Sequence, residues 1–148
     1  MDGCFVGIDV SKNQLDGRVL GDQSFQHPNS PAGITQIVAL LQSLPVTLVV
    51  VEATGGLEVP IARALQKAQI PVAVINPRQG RDFAKATGRL AKTDRIDAET
   101  LAMFGQAIRP RPQPLPDEAT VALDAIVTRR SQLIDMRTME QNRLGSRE

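Results

Sequence analysis

The feature that most constrains the fold of this chain is an unbroken run of β-branched and other apolar residues at positions 46–51, which ends on Glu52. Such a run is typical of a strand that is covered on both faces of its sheet. A turn at residues 53–56 follows, then a helix predicted over residues 57–69 and a second buried strand at residues 71–75. Strand, helix and strand in this order predict a parallel crossover.

The N-terminal part of the sequence predicts an antiparallel hairpin attached to this crossover. Residues 4–8 form a short apolar strand that ends on Asp9, and residues 15–20 alternate apolar with polar side chains. A third short strand is predicted at residues 24–27, and apolar residues at helical spacing predict a helix over residues 34–44. The prediction is an α/β domain with a ribonuclease H-like (RuvC-type) mixed sheet flanked by helices.

Three further segments follow this core. Thr93 is the predicted N-cap of a helix that carries apolar residues as far as Phe104. Alternate prolines within residues 110–116 predict a stiff, extended linker, and residues 117–148 are predicted to form a long helical, coiled-coil connector. We therefore expect a catalytic domain at residues 1–109, the linker, and the connector.

The predicted connector helix bears an apolar stripe, and a lone helix of this kind needs a partner. A coiled coil between two copies of the chain would give a homo-oligomer. Because Arg129 and Arg130 interrupt a heptad seam, docking on a further domain, on RNA or on the N-terminal domain stays an alternative.

Composition argues against several functional classes. The 17 basic and 16 acidic residues nearly cancel, so any surface that binds nucleic acid must be a local one. Trp and Tyr are absent, which argues against a platform that stacks bases. The single cysteine, Cys4, permits no disulfide within the chain and fits a cytoplasmic setting. No apolar run approaches the roughly 20 residues that span a bilayer, so no membrane partner is expected.

Four acidic residues are candidates for a metal site. Asp9 and Glu52 end neighbouring predicted strands, whose carboxyl ends face one crevice. Asp94 and Asp97 are three residues apart, which would place both carboxylates on one face of the first helical turn. Carboxylates in this arrangement suit two Mg²⁺ or Mn²⁺ ions about 4 Å apart, which promote phosphodiester cleavage. Taken singly, each acid is equally well explained as an ordinary solvated, capping or turn residue.

Basic residues recur at steps of three or four before the second acidic pair. If the segment is helical, they form one stripe that neutralises phosphates; the candidates are Arg78, Arg81, Lys85, Arg89 and Lys92. Lys12, which closely follows Asp9, and Arg95 are further candidates for nucleic-acid contact. A solvated helix face or a loop that orders on binding are the alternatives, because Gly80 and Gly88 weaken a continuous helix. His27 has no second histidine to join it and is left out of the site.

Three acidic motifs give the chain a resemblance to a known family. The motifs are Gly7-Ile8-Asp9-Val10-Ser11-Lys12, Val51-Glu52-Ala53-Thr54-Gly55-Gly56 and Lys92-Thr93-Asp94-Arg95-Ile96-Asp97-Ala98. They resemble the motifs of the DEDD transposases of the insertion-sequence family IS one-ten, which includes the Piv-type DNA invertases. The resemblance covers about residues 4–106, and its third motif is the most specific.

The resemblance implies a DNA transposase or recombinase that cleaves phosphodiesters and transfers strands during transposition of an insertion sequence. It implies that Asp9, Glu52, Asp94 and Asp97 hold the divalent metal, which is Mg²⁺ or Mn²⁺. It also implies a partner DNA, a structured guide RNA, and a separate C-terminal domain with a nucleophilic serine. We expect that domain to be absent from this chain.

Two rival functions remain at this point. An actin-like sugar kinase or ATPase shares the core and begins with a strand ending in Gly-Ile-Asp, but its phosphate loop usually continues with glycine and threonine. A non-catalytic nucleic-acid-binding scaffold would use the basic residues and leave the acids idle. The paired Asp94 and Asp97 argue against the first rival, and the presence of all four acids argues against the second.

Overall fold

The computed structural model describes residues 3–89 and 96–112. The elements in these ranges are β1 (Cys4–Val10), β2 (Gln14–Val19), β3 (Ser24–Pro28), α1 (Pro31–Gln42), β4 (Val46–Glu52), α2 (Val59–Lys67), β5 (Val72–Ile75), α3 (Pro77–Ala86) and α4 (Ala98–Ile108). The five strands lie where the apolar pattern predicts them. The predicted α/β fold is confirmed.

The five strands form one mixed sheet in the order β3-β2-β1-β4-β5. The hairpin prediction is confirmed, because β1 pairs antiparallel with β2, and β2 pairs antiparallel with β3. The crossover prediction is confirmed as well, because β4 lies parallel to both β1 and β5. The strand at the centre of the sheet is thus the one that carries Asp9.

Helix α4 packs directly on one face of the sheet, and Gly7 makes this close approach possible. A Cβ atom built on Gly7 would lie 2.6 Å from Ala102 N and 2.8 Å from Leu101 Cβ, and closer still to the carbonyl oxygen of Ala98. Side chains alternate along a strand, so Asp9 shares this face with Gly7. The core on this side comprises Phe5, Leu48, Val50, Ala73, Ile75, Ile96, Leu101 and Phe104.

The opposite face of the sheet carries the alternate strand residues, including the fully buried Val6 and Ile8. Helices α1 and α2 contact each other and supply buried side chains such as Ile37 and Leu65. Because β1 and β4 are covered on both faces, their sequences read as continuous apolar runs. The strand pairing therefore explains the uninterrupted apolar run at residues 46–51.

Helices α1 and α3 each begin at a side-chain cap. In α1, the Ser30 hydroxyl accepts a hydrogen bond from Gly33 N. In α3, Asn76 and Gln79 form a reciprocal capping box. Both arrangements satisfy backbone N–H groups that a first turn leaves without partners.

The start of α4 differs from the prediction. Thr93 lies outside the described residues, but Ile96 and Asp97 precede the helix, which begins at Ala98. Asp97 is the N-cap, with extended backbone (φ −92°, ψ 174°), and its carboxylate accepts a hydrogen bond from Thr100 N. The placement of Asp97 within a first helical turn that starts at Thr93 is therefore wrong. The sequence offers two residues with N-cap chemistry, and the aspartate holds the helix end.

The remaining predictions for the C-terminal part lie beyond the described residues. The chain divides into units at residues 1–114 and 115–148. The connector helix at residues 117–148, and most of the linker at residues 110–116, stay predictions. Among the described helices, none is long and apolar enough to span a bilayer.

Candidate metal centre

Asp9 and Glu52 lie side by side at the carboxyl ends of two parallel strands. The register pairs Ile8 of β1 with Val51 of β4, so the next residue on each strand is one of the two acids. Neighbouring strands are about 4.8 Å apart, and paired residues in a parallel sheet project to the same face. Both side chains are half-buried. The sequence prediction that these two acids share one edge of the sheet agrees with this register.

Glu52 is held at the inner side of α3. A Cβ atom built on Gly80 would lie 3.5 Å from Glu52 Oε2, and Gly80 is itself buried. Thr54 Oγ1 donates a 2.8 Å hydrogen bond to the Glu52 carbonyl, and Ala53 N donates a 2.8 Å bond to Ile75 O. These contacts fix the end of β4. The Glu52 carboxylate thus lies at ordinary van der Waals distance from α3, and the nearest neighbour of a Cβ atom on Gly80 would be Ile96 Cδ1, at 2.9 Å.

Asp97 approaches Asp9 from the other side, at the start of α4. The two residues line one cavity of about 520 Å³. Asp97 Oδ1 accepts a 2.8 Å hydrogen bond from Thr100 N, which orients the carboxylate and leaves its second oxygen outside the cap. Asp94, the fourth predicted acid, lies outside the described residues. The structure therefore brings Asp97 to the cavity of Asp9, and the contribution of Asp94 stays a prediction.

The sequence interpretation missed two acids of this cavity, Asp16 and Glu99. Asp16 of β2 pairs directly with Asp9 in the antiparallel register, and Gln14 Nε2 donates a 2.9 Å hydrogen bond to Asp16 Oδ1. Like charges directly opposite each other destabilise a strand pair unless a cation or a donor compensates them. The alternation of apolar and polar residues at positions 15–20 could have identified Asp16, because it places this residue on the polar face of the hairpin.

The donor set suits a hard divalent cation, since such ions prefer carboxylate oxygens. Within residues 3–89 and 96–112, however, no group of three or more His, Cys, Asp or Glu side chains is close enough to hold a metal ion. Glu52 faces α3, whereas Asp9 and Asp97 face the cavity. The carboxylates are therefore suitable ligands for such a cation. The described residues do not bring three of them close enough together to hold it.

The basic stripe is present on α3 but is shorter than predicted. Arg78, Arg81 and Lys85 are separated by steps of three and four, so they share one face of α3, and the buried residues Gly80 and Ala84 lie on a neighbouring face. The stripe required a helical segment that tolerates Gly80, and the segment is helical as far as Ala86.

Arg89 does not continue this stripe. Gly88, with φ +72°, follows the end of α3, and Arg89 lies beyond the helix. Its Nη2 lies 3.4 Å from Glu99 Oε1 and its Nε lies 3.5 Å from Thr100 Oγ1. Arg89 therefore lies outside the stripe, since its guanidinium pairs with the start of α4, and its contact with nucleic acid stays a prediction. Lys12 lies exposed in the turn after β1.

Lys92 and Arg95 lie outside the described residues, so their nucleic-acid contacts stay predictions.

Comparison with known proteins decides the family. The family model of the IS110-type DEDD transposases, described as transposase, matches residues 6–146. The chain belongs to the DEDD transposase family. This membership favours the transposase interpretation over the sugar kinase or ATPase alternative, and it agrees with the resemblance seen in the three acidic motifs.

This DEDD transposase-family chain is also similar to two curated proteins. The pilin gene-inverting proteins of Moraxella lacunata and Moraxella bovis are each 26% identical to it over 152 residues. The alignment covers 95% of this chain and 47% of each relative. The chain thus spans about half the length of the curated relatives it matches.

Solved structures support the fold. The chain is similar to Thermus thermophilus RuvC, with a TM-score of 0.52 and 16% identity, over 73% of this chain and 99% of RuvC. It is also similar to T. thermophilus RuvC in complex with a Holliday junction substrate, with a TM-score of 0.50 and 14% identity, over 74% and 99% of the two chains. At this identity the likeness shows the fold, which is the RuvC type of the ribonuclease H-like class.

Proposed function

We propose that this chain carries the metal-binding part of a DNA transposase, which cleaves and transfers phosphodiester strands during transposition of an insertion sequence. The observation that carries the proposal is the placement of Asp9 beside Glu52 in the register, with Asp97 in the same cavity as Asp9. The four sequence-predicted acids, Asp94 included, are the proposed ligands. Family membership and the RuvC-type fold support this function.

The proposed cofactor is a pair of Mg²⁺ or Mn²⁺ ions. When bound, such ions stabilise the attacking and leaving oxygens of a phosphodiester displacement. Asp9 lies between Glu52 and the cavity that contains Asp97, so it is the ligand best placed to serve both ions. Asp16, opposite Asp9 in the hairpin, adds a further carboxylate to the cavity.

The chain's own residues orient these acids. The N–H of Thr100 fixes Asp97, and the sheet register fixes Asp9. The hydrogen bonds of Ala53 and Thr54 fix the end of the strand that carries Glu52. Ligands held in this way lose little conformational freedom when a cation binds. The attacking hydroxyl comes from water or from a DNA end, or from a domain outside this chain.

DNA is the proposed partner. The relatives invert a pilin gene, and one of the similar RuvC structures holds a Holliday junction substrate. The stripe of Arg78, Arg81 and Lys85 supplies three cations on one face of α3, the helix whose inner face lies against Glu52. Such cations neutralise phosphates and position a strand without reading its bases. A structured guide RNA and a homo-oligomer through residues 117–148 stay predictions.

A metal titration followed by thermal melting tests the site. We expect Mn²⁺ at about a hundredfold its dissociation constant to stabilise the wild type by about 2.7 kcal/mol. Asp9→Asn and Asp97→Asn should lose most of this gain. Asp22→Asn, which alters an exposed acid in the turn between β2 and β3, should keep it. Equal stabilisation of all four proteins by Mn²⁺ would show that the proposed acids do not hold the metal.

A cleavage assay separates the rival functions. Metal binding without Mn²⁺-dependent cleavage of DNA would favour the non-catalytic scaffold.

A further inference from the structure

Arg18 is the single cation among the residues that line the cavity of Asp9 within the described chain. It lies on β2 opposite Gly7, two residues after Asp16, so all three of Asp9, Asp16 and Arg18 project from the same face of the sheet. The start of α4 forms the other wall, with Asp97 and Glu99. A guanidinium is thus built into a cavity whose other charged lining groups are carboxylates.

One nitrogen of the Arg18 guanidinium has no hydrogen-bond partner. This atom, Nε, is fully buried, and among the described residues no ion pair within 4 Å joins Arg18 to a carboxylate of the cavity. Buried polar groups nearly always have a partner, because an unsatisfied donor carries the full cost of its desolvation. An acceptor on a ligand in the cavity would satisfy this donor once the side chain turns toward it.

The other side of Arg18 is polar and uncharged. Ser24 pairs with Arg18, and Gln26 pairs with Asp16, so both β3 residues share the face of the cavity. The floor therefore changes from carboxylates at Asp9 and Asp16 to hydrogen-bond donors at Arg18, Ser24 and Gln26. A ligand that lies across it meets a cation-binding end and an anion-binding end.

We propose that Arg18 binds a backbone phosphate of the DNA strand that passes the acidic site, an inference that rests on the proposed function. Asp9 and Arg18 are diagonal neighbours in the hairpin, with Cα atoms about 7–8 Å apart, a separation that a long side chain spans. The two free oxygens of a phosphodiester match the paired N–H groups of a guanidinium. Arg18 therefore holds the strand on the side of Asp9 away from α3, and the stripe of Arg78, Arg81 and Lys85 holds it on the other side.

Binding of a short, labelled single-stranded DNA, measured by fluorescence anisotropy with Mg²⁺ over a series of salt concentrations, tests this role. We expect Arg18→Gln to weaken binding about tenfold to a hundredfold, which is the range for a lost charge-assisted hydrogen bond. The slope of log affinity against log salt should fall by about 1. Lys67→Gln removes an exposed charge from α2, outside the cavity, and should change neither quantity. Arg18→Lys should keep the slope and lose part of the affinity, because lysine keeps the charge without the planar fork.

A scan of the DNA with single neutral methylphosphonate groups identifies the phosphate. One position should weaken binding by the wild type and have no effect on binding by Arg18→Gln. If every position acts equally on both proteins, or if Arg18→Gln binds DNA as the wild type does, Arg18 is only a counterion for the acids and the inference is wrong. If Arg18→Gln melts early, the same scan with Arg18→Lys decides the question.

The metal titration keeps this inference separate from the proposed function. Arg18→Gln should retain the Asp9-dependent stabilisation by Mn²⁺. Normal metal stabilisation together with unchanged DNA affinity overturns the role of Arg18 alone. Absence of Asp9-dependent stabilisation in the wild type overturns the metal site, whatever Arg18 does.

Discussion

Substitution of Gly7 by alanine tests the link between the packing of the sheet and the assembly of the site. The new Cβ atom would lie 2.6 Å from Ala102 N and 2.8 Å from Leu101 Cβ, and closer to the carbonyl oxygen of Ala98. Two of these neighbours are backbone atoms of α4, which cannot move away by a change of side-chain rotamer. Overpacking typically costs 1–3 kcal/mol, so we expect a loss of about 3 kcal/mol or more in the free energy of unfolding. The melting temperature should fall by about 10 °C or more.

Gly105→Ala is the matched control on the same interface. Its Cβ atom would lie 2.9 Å from Val50 Cγ2 and 3.5 Å from Phe5 Cδ1, which are side-chain atoms that can shift. Alanine gains about 1 kcal/mol over glycine inside a helix, so the net change should be within about 1 kcal/mol of zero.

Urea unfolding followed by circular dichroism measures both variants, and Mn²⁺ titration shows whether displacement of α4 also weakens metal binding. An unfolding free energy of Gly7→Ala within 1 kcal/mol of the wild type would refute the claim that α4 lies directly on β1.

Three further predictions concern single groups. Asp97→Ala should cost about 1 kcal/mol of stability through the lost N-cap on Thr100, whereas Asp97→Asn should keep the cap and lose only metal binding; chemical denaturation with and without Mn²⁺ separates the two. Arg89→Ala should change the unfolding free energy by less than about 1 kcal/mol, because its ion pair with Glu99 is partly exposed, and urea titration checks this. Burial raises the pKa of the Cys4 thiol, so iodoacetamide at pH 8 should alkylate it more slowly in the folded chain than in urea, and the folded rate should rise at higher pH.

The sheet could be predicted from the sequence because its physical causes are local in the chain. Strands covered on both faces need apolar residues at every position, and residues 46–51 show this pattern without interruption. The acids at the ends of β1 and β4 follow from the same reasoning, because the end of a strand is visible where the apolar run stops. The positions of Asp9 and Glu52 at the ends of neighbouring strands could therefore be predicted from the sequence.

The start of α4 and the cavity could not be predicted in the same way. Thr93 and Asp97 both have N-cap chemistry, and the choice between them depends on how Ile96 packs in the core. Asp16 and Arg18 belong to the site through the hairpin register, which the turn geometry sets and the composition does not reveal. The position of Arg89 depends on its tertiary contact with Glu99 and not on its spacing from the basic residues of α3.

The hydrogen bond from Thr100 N to Asp97 Oδ1 couples the start of a helix to a candidate metal ligand. The Thr100 amide is therefore a spectroscopic probe built into the protein. A cation that draws charge from the Asp97 carboxylate changes the electronic environment of this amide and moves its nitrogen and proton resonances. Hydrogen exchange at the same amide reports whether the first turn of α4 opens more rarely in the presence of the ion. One backbone signal can thus follow occupancy of the site without DNA and without turnover.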